Sequence, residues 1–264
     1  MRRLIDTHCH VYDEAFSDDL PQVMDRALEA GLEYLLLPNI NPDTLDGLLA
    51  VCDRWPDVCR PMTGLHPEDL ADDFRSQLAC LKEGLDTDRR PDGAHRFIGI
   101  GETGLDFYWD KSRLDDQIES FKVQIGWALE YDLPIVIHSR DSFTQLYDVL
   151  SNYRDCGLRG IFHCFSGDSA QAEALMEFGG FMFGIGGVLT YRKSVLPSVL
   201  PIIPMDRVVL ETDCPYLSPV PFRGKRNESS YIVNTAVALA QVYGVSTDEV
   251  ARVTRENACR MFRL

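Results

Sequence analysis

Near the start of the chain, Asp6-Thr7-His8-Cys9-His10 sets two imidazoles and a carboxylate at alternate positions. The preceding Leu4-Ile5 reads as a buried strand, and strand side chains alternate faces, so Asp6, His8 and His10 are expected to point the same way. Two neutral imidazoles beside a carboxylate are ligands for a transition metal such as Zn or Mn. A lone His-x-His pair is a common accident of sequence. Its meaning depends on the residues downstream.

Later apolar runs end in residues of the same kind. Residues 59–65 run into His66-Pro67, and 97–100 lead into Gly101-Glu102-Thr103-Gly104-Leu105-Asp106. Residues 134–137 end in His138-Ser139-Arg140, 160–162 in His163, and 207–210 in Glu211-Thr212-Asp213. Five of the six histidines therefore stand at the ends of strand-like runs; His95, in the charged connection 86–95, reads as a surface residue. Imidazoles select a transition metal, while carboxylates reduce the net charge of two close cations and can bridge them. Two such cations can activate water and stabilise both the attacking and the departing oxygen.

Something must bring these residues together. Apolar spacing predicts helices over 19–30, 42–54, 74–85, 114–131, 141–153 and 170–178, a short helical stretch at 193–200, and two C-terminal helices. The last opens with Ser246-x-x-Glu249, a capping-box pattern. With strands also at 34–37 and 181–183, eight apolar runs alternate with helices and no domain break interrupts them. That is the pattern of one (β/α)8 barrel over residues 1–264, whose active site forms at the C-terminal strand ends. A doubly wound open sheet is the alternative, and the placement of the polar residues favours the barrel.

Composition narrows the function classes. At 45% hydrophobic content, 264 residues can bury a full core. The eight cysteines are scattered without a Cys-x-x-Cys pair, which fits reduced thiols better than a disulfide framework or a cysteine zinc site. No apolar run is long enough to cross a bilayer, and Asp6 and His8 interrupt the start of the chain as an export signal, so a cytoplasmic protein is expected. A net charge of −15 argues against broad adhesion to nucleic acid, so a phosphate-bearing substrate would need a local basic patch or bound cations.

Asp6-Thr-His8-Cys-His10, Gly64-Leu-His66-Pro67, Gly101-Glu102-Thr-Gly-Leu-Asp106, Pro134-Ile-Val-Ile-His138-Ser-Arg140, His163-Cys-Phe-Ser-Gly167, Glu211-Thr-Asp213-Cys-Pro215 and Arg223-Gly-Lys-Arg-Asn-Glu228 occur in this order. Together they resemble the TatD family of metal-dependent deoxyribonucleases. The resemblance implies one metal at His8, His10, Glu102 and Asp213 and a second at His138 and His163, with Glu102 as the bridge. Family members are usually described as Mg-dependent, whereas an imidazole-rich set suits Zn or Mn. One departure is Ser229, where the family commonly has proline.

The resulting expectation is a metallohydrolase that cleaves phosphodiester bonds in DNA, from strand ends, with a metal-bound hydroxide as nucleophile and no obligate protein partner. An amidohydrolase-type deacylase, acting for example on aminoacyl-tRNA, would use the same ligands, and a metal-binding protein without catalysis is the third class. Asp213 is read as ligand, general base or both, Asp6 as orienting a ligand His or the loop beneath it, and Glu211 as a further carboxylate behind the ligands. His66, Arg140, Arg223 and Arg226 are read as substrate contacts, since guanidinium binds phosphate bidentately. Lys225, the backbone of Gly184-Ile185-Gly186-Gly187, and Tyr108 and Trp109 as stacking partners are weaker candidates.

Overall fold

The computed structural model describes residues 3–88, 93, 96–108 and 111–264. His95 and Trp109 lie outside them. The strands are β1 (Leu4–Asp6), β2 (Leu32–Leu37), β3 (Cys59–Pro61), β4 (Ile100–Asp106), β5 (Ile135–Arg140), β6 (Gly160–Phe162), β7 (Phe181–Ile185) and β8 (Val208–Leu210). They are short apolar runs because both faces of a parallel sheet are covered. All pair in parallel, in the orders β1-β2-β3 and β4-β5-β6-β7-β8.

Two seams close these sheets into one (β/α)8 barrel. Thr63 bridges to Ile100, with Gly101 N–H donating to Thr63 O at 2.8 Å. At the other seam Thr7 N–H donates to Leu210 O at 3.0 Å. An open doubly wound sheet would have two free edges instead.

The helices are α1 (Leu20–Glu29), α2 (Pro42–Arg54), α3 (Phe74–Thr87), α4 (Leu114–Glu130), α5 (Phe143–Ser151), α6 (Ser169–Met176), α7 (Leu196–Val199), α8 (Ile232–Tyr243) and α9 (Thr247–Phe262). Their apolar faces and the outer strand faces form the larger core. A smaller inner core takes Ile5, Leu36, Met62, Val136, Ile161, Met182 and Val209 from around the barrel. Met261 and Phe262 of α9 join it, packed with Tyr34 and Ile98 near the strands' N-terminal ends, so this end of the barrel is plugged and the polar residues keep the other. As the capping pattern predicts, Ser246 Oγ accepts from Glu249 N–H at 3.1 Å. Among the described residues, no helix is long and apolar enough to cross a membrane.

Some expectations shift. The third strand ends at Pro61 rather than at 65; beyond it Met62 N–H still donates to Leu37 O at 2.8 Å and Thr63 makes a bridge to Ile100. The helix expected over 193–200 shrinks to α7 followed by a 3-10 turn, Leu200–Ile202, with Pro201 at its start. The first strand stops at Asp6, so alternation along an extended strand does not aim His8 and His10.

Gly104 decides how closely β4 and β5 approach near the site. It pairs with His138, has φ +138°, and a Cβ there would lie 2.0 Å from His138 O. Gly104→Ala is expected to cost about 3 kcal/mol, read as a fall in Tm of about 6–12 °C. An unchanged Tm would show that the two strands can separate freely.

Candidate metal centre

His8 and His10 follow β1, His66 follows β3, Glu102 lies within β4, His138 within β5, His163 follows β6 and Asp213 follows β8. Barrel closure brings these positions to one mouth. Glu102 is the common neighbour. Its Oε2 is 3.1 Å from His8 Nε2 and 3.6 Å from His10 Nε2. Its Oε1 is 3.0 Å from His138 Nδ1, 3.6 Å from His66 Nε2 and 3.7 Å from His163 Nε2. Asp213 Oδ1 faces the same space, 3.5 Å from His10, 3.8 Å from His8 and 3.7 Å from His163. The His8 and His163 rings stack with centroids 3.4 Å apart.

Hydrogen bonds orient several rings. Tyr12 donates its hydroxyl hydrogen to Pro38 O at 2.6 Å, so its oxygen accepts from His10 Nδ1 at 2.9 Å. His10 therefore turns a bare Nε2 into the site. That nitrogen lies 3.1 Å from His8 Nε2, and His8 Nδ1 has no hydrogen-bond partner although it is buried. His66 Nδ1 accepts from Glu68 N–H at 3.2 Å, which points its Nε2 toward Glu102. His163 Nδ1 is 3.1 Å from Glu211 Oε1 but out of line for a hydrogen bond, and Glu211 Oε2 is also unpartnered.

Electrostatics bind the cluster. Burial alone would raise Glu102, but His8, His66 and His163 hold it well below the usual carboxylate range. Burial opposes charge on His138 too, yet hydrogen bonds to Asp106 and Glu102 carry it up to about 9. His163 likewise overcomes burial through Glu211, Glu102 and Asp213, reaching about 10. His66 goes the other way, lowered to about 3 chiefly by burial. The buried carboxylates thus draw positive charge onto His138 and His163, while burial keeps His8 and His66 from taking it.

These residues fit a divalent metal. Facing imidazole nitrogens, unpartnered buried donor atoms and ionised carboxylates form a donor set that a cation satisfies. Among the described residues, ligand atoms lie within 4.8 Å of one another in four groupings: His8–His10–Asp213, His66–Glu102–His138, His8–His163–Glu211 and His163–Cys164–Asp213.

Sequence reasoning missed some partners. Asp106 accepts from His138 Nε2 at 2.8 Å; the legible signal was its even spacing from Glu102 along one strand, which puts both on one face. Tyr12, which orients His10, had no such signal.

Other residues hold the loops around the site, as one of the two readings of Asp6 expects. Asp6 does not touch an imidazole: it accepts from Thr212 N–H at 2.9 Å and Thr212 Oγ1 at 2.6 Å, tying β1 to the segment after β8. Its burial raises it to about 7 against these bonds and one from Ser229. The glycines of 184–187 make room: a Cβ on Gly184 would sit 2.1 Å from Glu211 Oε2, and one on Gly187 2.2 Å from Leu217 O.

Of the expected phosphate contacts, Arg140 stacks on exposed Tyr108, its Cζ 3.7 Å from the ring centre, and Arg223 on Tyr191 at 4.5 Å. Arg226 is committed elsewhere. It forms a bidentate pair with Asp19 at 2.7 Å through both terminal nitrogens, donates to Ala15 O, and covers Phe16. Lys225 is exposed.

A closed (β/α)8 barrel with a buried imidazole–carboxylate cluster at its C-terminal mouth defines a metal-dependent hydrolase. The model of the TatD-related DNase family matches residues 5–263, and the chain belongs to that family. It is 37% identical over 263 residues to the uncharacterized metal-dependent hydrolase YabD of Bacillus subtilis, covering 99% of each chain. It is 30% identical over 270 residues to the 3'-5' ssDNA/RNA exonuclease TatD of Pectobacterium carotovorum subsp. carotovorum, covering 99% of this chain and all (100%) of that one. The solved structure of YjjV, a TatD homologue of Escherichia coli, superposes with a TM-score of 0.90 at 29% identity, covering 99% of this chain and 98% of that one.

Glu102→Gln keeps the side chain's size and removes its charge. Dialysed wild-type protein is expected to retain divalent metal by elemental analysis, and the variant to lose most of it. Equal metal content would take Glu102 out of the ligand set.

Proposed function

We propose that this chain is a metal-dependent nuclease that hydrolyses phosphodiester bonds in DNA, working from strand ends. The observation that carries the reading is Glu102: one oxygen faces His8 and His10, the other faces His138, His66 and His163. A carboxylate shared in this way suits two cations, one with His8, His10 and Asp213 and one with His138 and His163. The family and its 3'-5' exonuclease relative support nucleic acid as substrate. We take residues 1–264 as one hydrolase domain and favour a cytoplasmic monomer; the continuous outer core supports the first point.

Divalent metals held here (Zn, Mn or Mg) would supply positive charge against the phosphate and make a water at the site more acidic. The chain supplies the rest. Asp213 is held below its usual range, against its burial, by His10, His163 and His8, so its carboxylate is ready to take a proton from the attacking water. Glu102 holds the two imidazole groups together. His66, with Nδ1 accepting from backbone, presents Nε2–H to a phosphate oxygen. Asp106 fixes the His138 ring, and Glu211 backs His163 and accepts from Cys164 N–H at 2.6 Å. Arg140 and Arg223 steady the substrate's phosphates at the rim. Arg226 leaves this group, because its guanidinium already answers Asp19. A deacylase would use the same carboxylates and imidazoles, but its reacting centre would be a carbonyl carbon rather than a phosphorus.

Asp213→Asn is expected to slow cleavage of labelled single-stranded DNA by roughly 10²–10⁴-fold. A wild type that hydrolyses an aminoacyl ester but leaves DNA intact with Mg, Mn and Zn overturns the nuclease reading. For Arg226→Ala the expectation is a Tm lowered by about 2–4 °C, for about 1 kcal/mol, with the salt dependence of DNA binding unchanged. A shallower salt slope would restore Arg226 as a phosphate contact.

A further inference from the structure

Beside the metal centre, the loop after β7 and the loop after β8 enclose a basin of about 400 Å3 lined by Val188, Tyr191, Arg192, Lys193, Ser194 and Arg223. Its charge is unlike that of the rest of the chain. The net charge is −15, yet no acidic residue occurs from Phe178 to Met205 or from Cys214 to Asn227. These two stretches meet at the basin and bring Arg192, Lys193 and Arg223 to it.

The walls are built. Tyr191 Oη donates to Ser218 O at 3.1 Å, Val220 N–H donates to Thr190 Oγ1 at 2.8 Å, and Gly187 packs against the backbone of Leu217 and Pro219. Arg223 lies over the Tyr191 ring. The basin adjoins the cluster, since the loop that forms it leaves β7 against Glu211: a Cβ on Gly186, two residues before Val188, would lie 3.7 Å from Glu211 O and 3.9 Å from its Oε1.

We propose that this basin is a second nucleotide subsite, in which Arg192 and Lys193, with Arg223, hold the backbone phosphate next to the scissile one. The inference rests on the nuclease reading and deepens it. A volume of about 400 Å3 is within the range of small-ligand sites, here about one nucleotide. Val188 and Tyr191 supply apolar wall for sugar and base, and the cations answer a phosphate. An acidic protein that repels nucleic acid elsewhere must hold it where acids are missing. The enzyme should then favour a polymer over a lone diester.

The test is the binding of a labelled, phosphorothioate-linked thymidine pentamer by fluorescence anisotropy across a salt series, with Mg present. It compares wild type, Arg192→Ala/Lys193→Ala and, as a control for net charge, Lys122→Ala/Arg252→Ala. Arg192, Lys193, Lys122 and Arg252 are all exposed, so neither variant threatens the core. The Arg192/Lys193 variant is expected to bind roughly tenfold more weakly, with a salt slope reduced by about 0.7 because one phosphate is no longer neutralised. In cleavage of the unmodified pentamer, KM should rise and kcat hold.

Equal weakening in both variants would show a mere net-charge effect and overturn the subsite, as would unchanged binding. A wild type that cleaves DNA beside an unaffected variant sinks the subsite alone. Binding that depends on Arg192 and Lys193 without cleavage under any metal supports the subsite and sinks the nuclease reading. A wild type that neither binds nor cleaves sinks both.

Discussion

Glu102 is a carboxylate with almost no solvent, and an ionised carboxylate in that position costs several kcal/mol unless its surroundings answer it. Imidazoles from four separate strand ends do so, approaching both oxygens at 3.0 to 3.7 Å. No local stretch of chain can assemble such a ring. It exists only when the strands end at a common height, which is what closure of the barrel enforces. Gly104, at the β4–β5 contact, and Gly184, beneath Glu211, keep that height by admitting atoms a side chain would exclude.

Behind this ring lies a further layer of carboxylates with distinct tasks. Asp106 turns His138, Glu211 stands behind His163, and Asp6 never reaches an imidazole but joins β1 to the segment after β8 through Thr212. Each is buried, so each needs a fixed partner, and the partner chosen sets its role. The site is therefore anchored to the seam between β1 and β8 as firmly as to the strands that bear its imidazoles.

Charge is also distributed with purpose. A net charge of −15 repels polyanions over most of the surface, while residues 178–205 and 214–227 carry cations and no acids. One of those cations is structural: Arg226 braces the start of α1, where Arg26 in turn pairs with Glu228 at 2.6 Å. Others, Arg192 and Lys193 among them, are exposed beside the mouth. An arginine's type alone does not separate these two uses. Its partners do.

Much of the fold and of the site is legible in the order of residues alone. Short apolar runs alternating with helices, six of the eight closing on His, Glu or Asp, point to a barrel and a metal-ligand set, because burial and ligand chemistry both act on residue type and order. The capping of α9 by Ser246 is equally local. What only the tertiary structure decided were pairings between distant segments: that Glu102 turns one oxygen to each imidazole group, that Asp6 serves Thr212, that Tyr12 orients His10, and that Arg226 answers Asp19. Hydrogen bonds and ion pairs act over about 3 Å, and which atoms come that close depends on how the whole barrel closes.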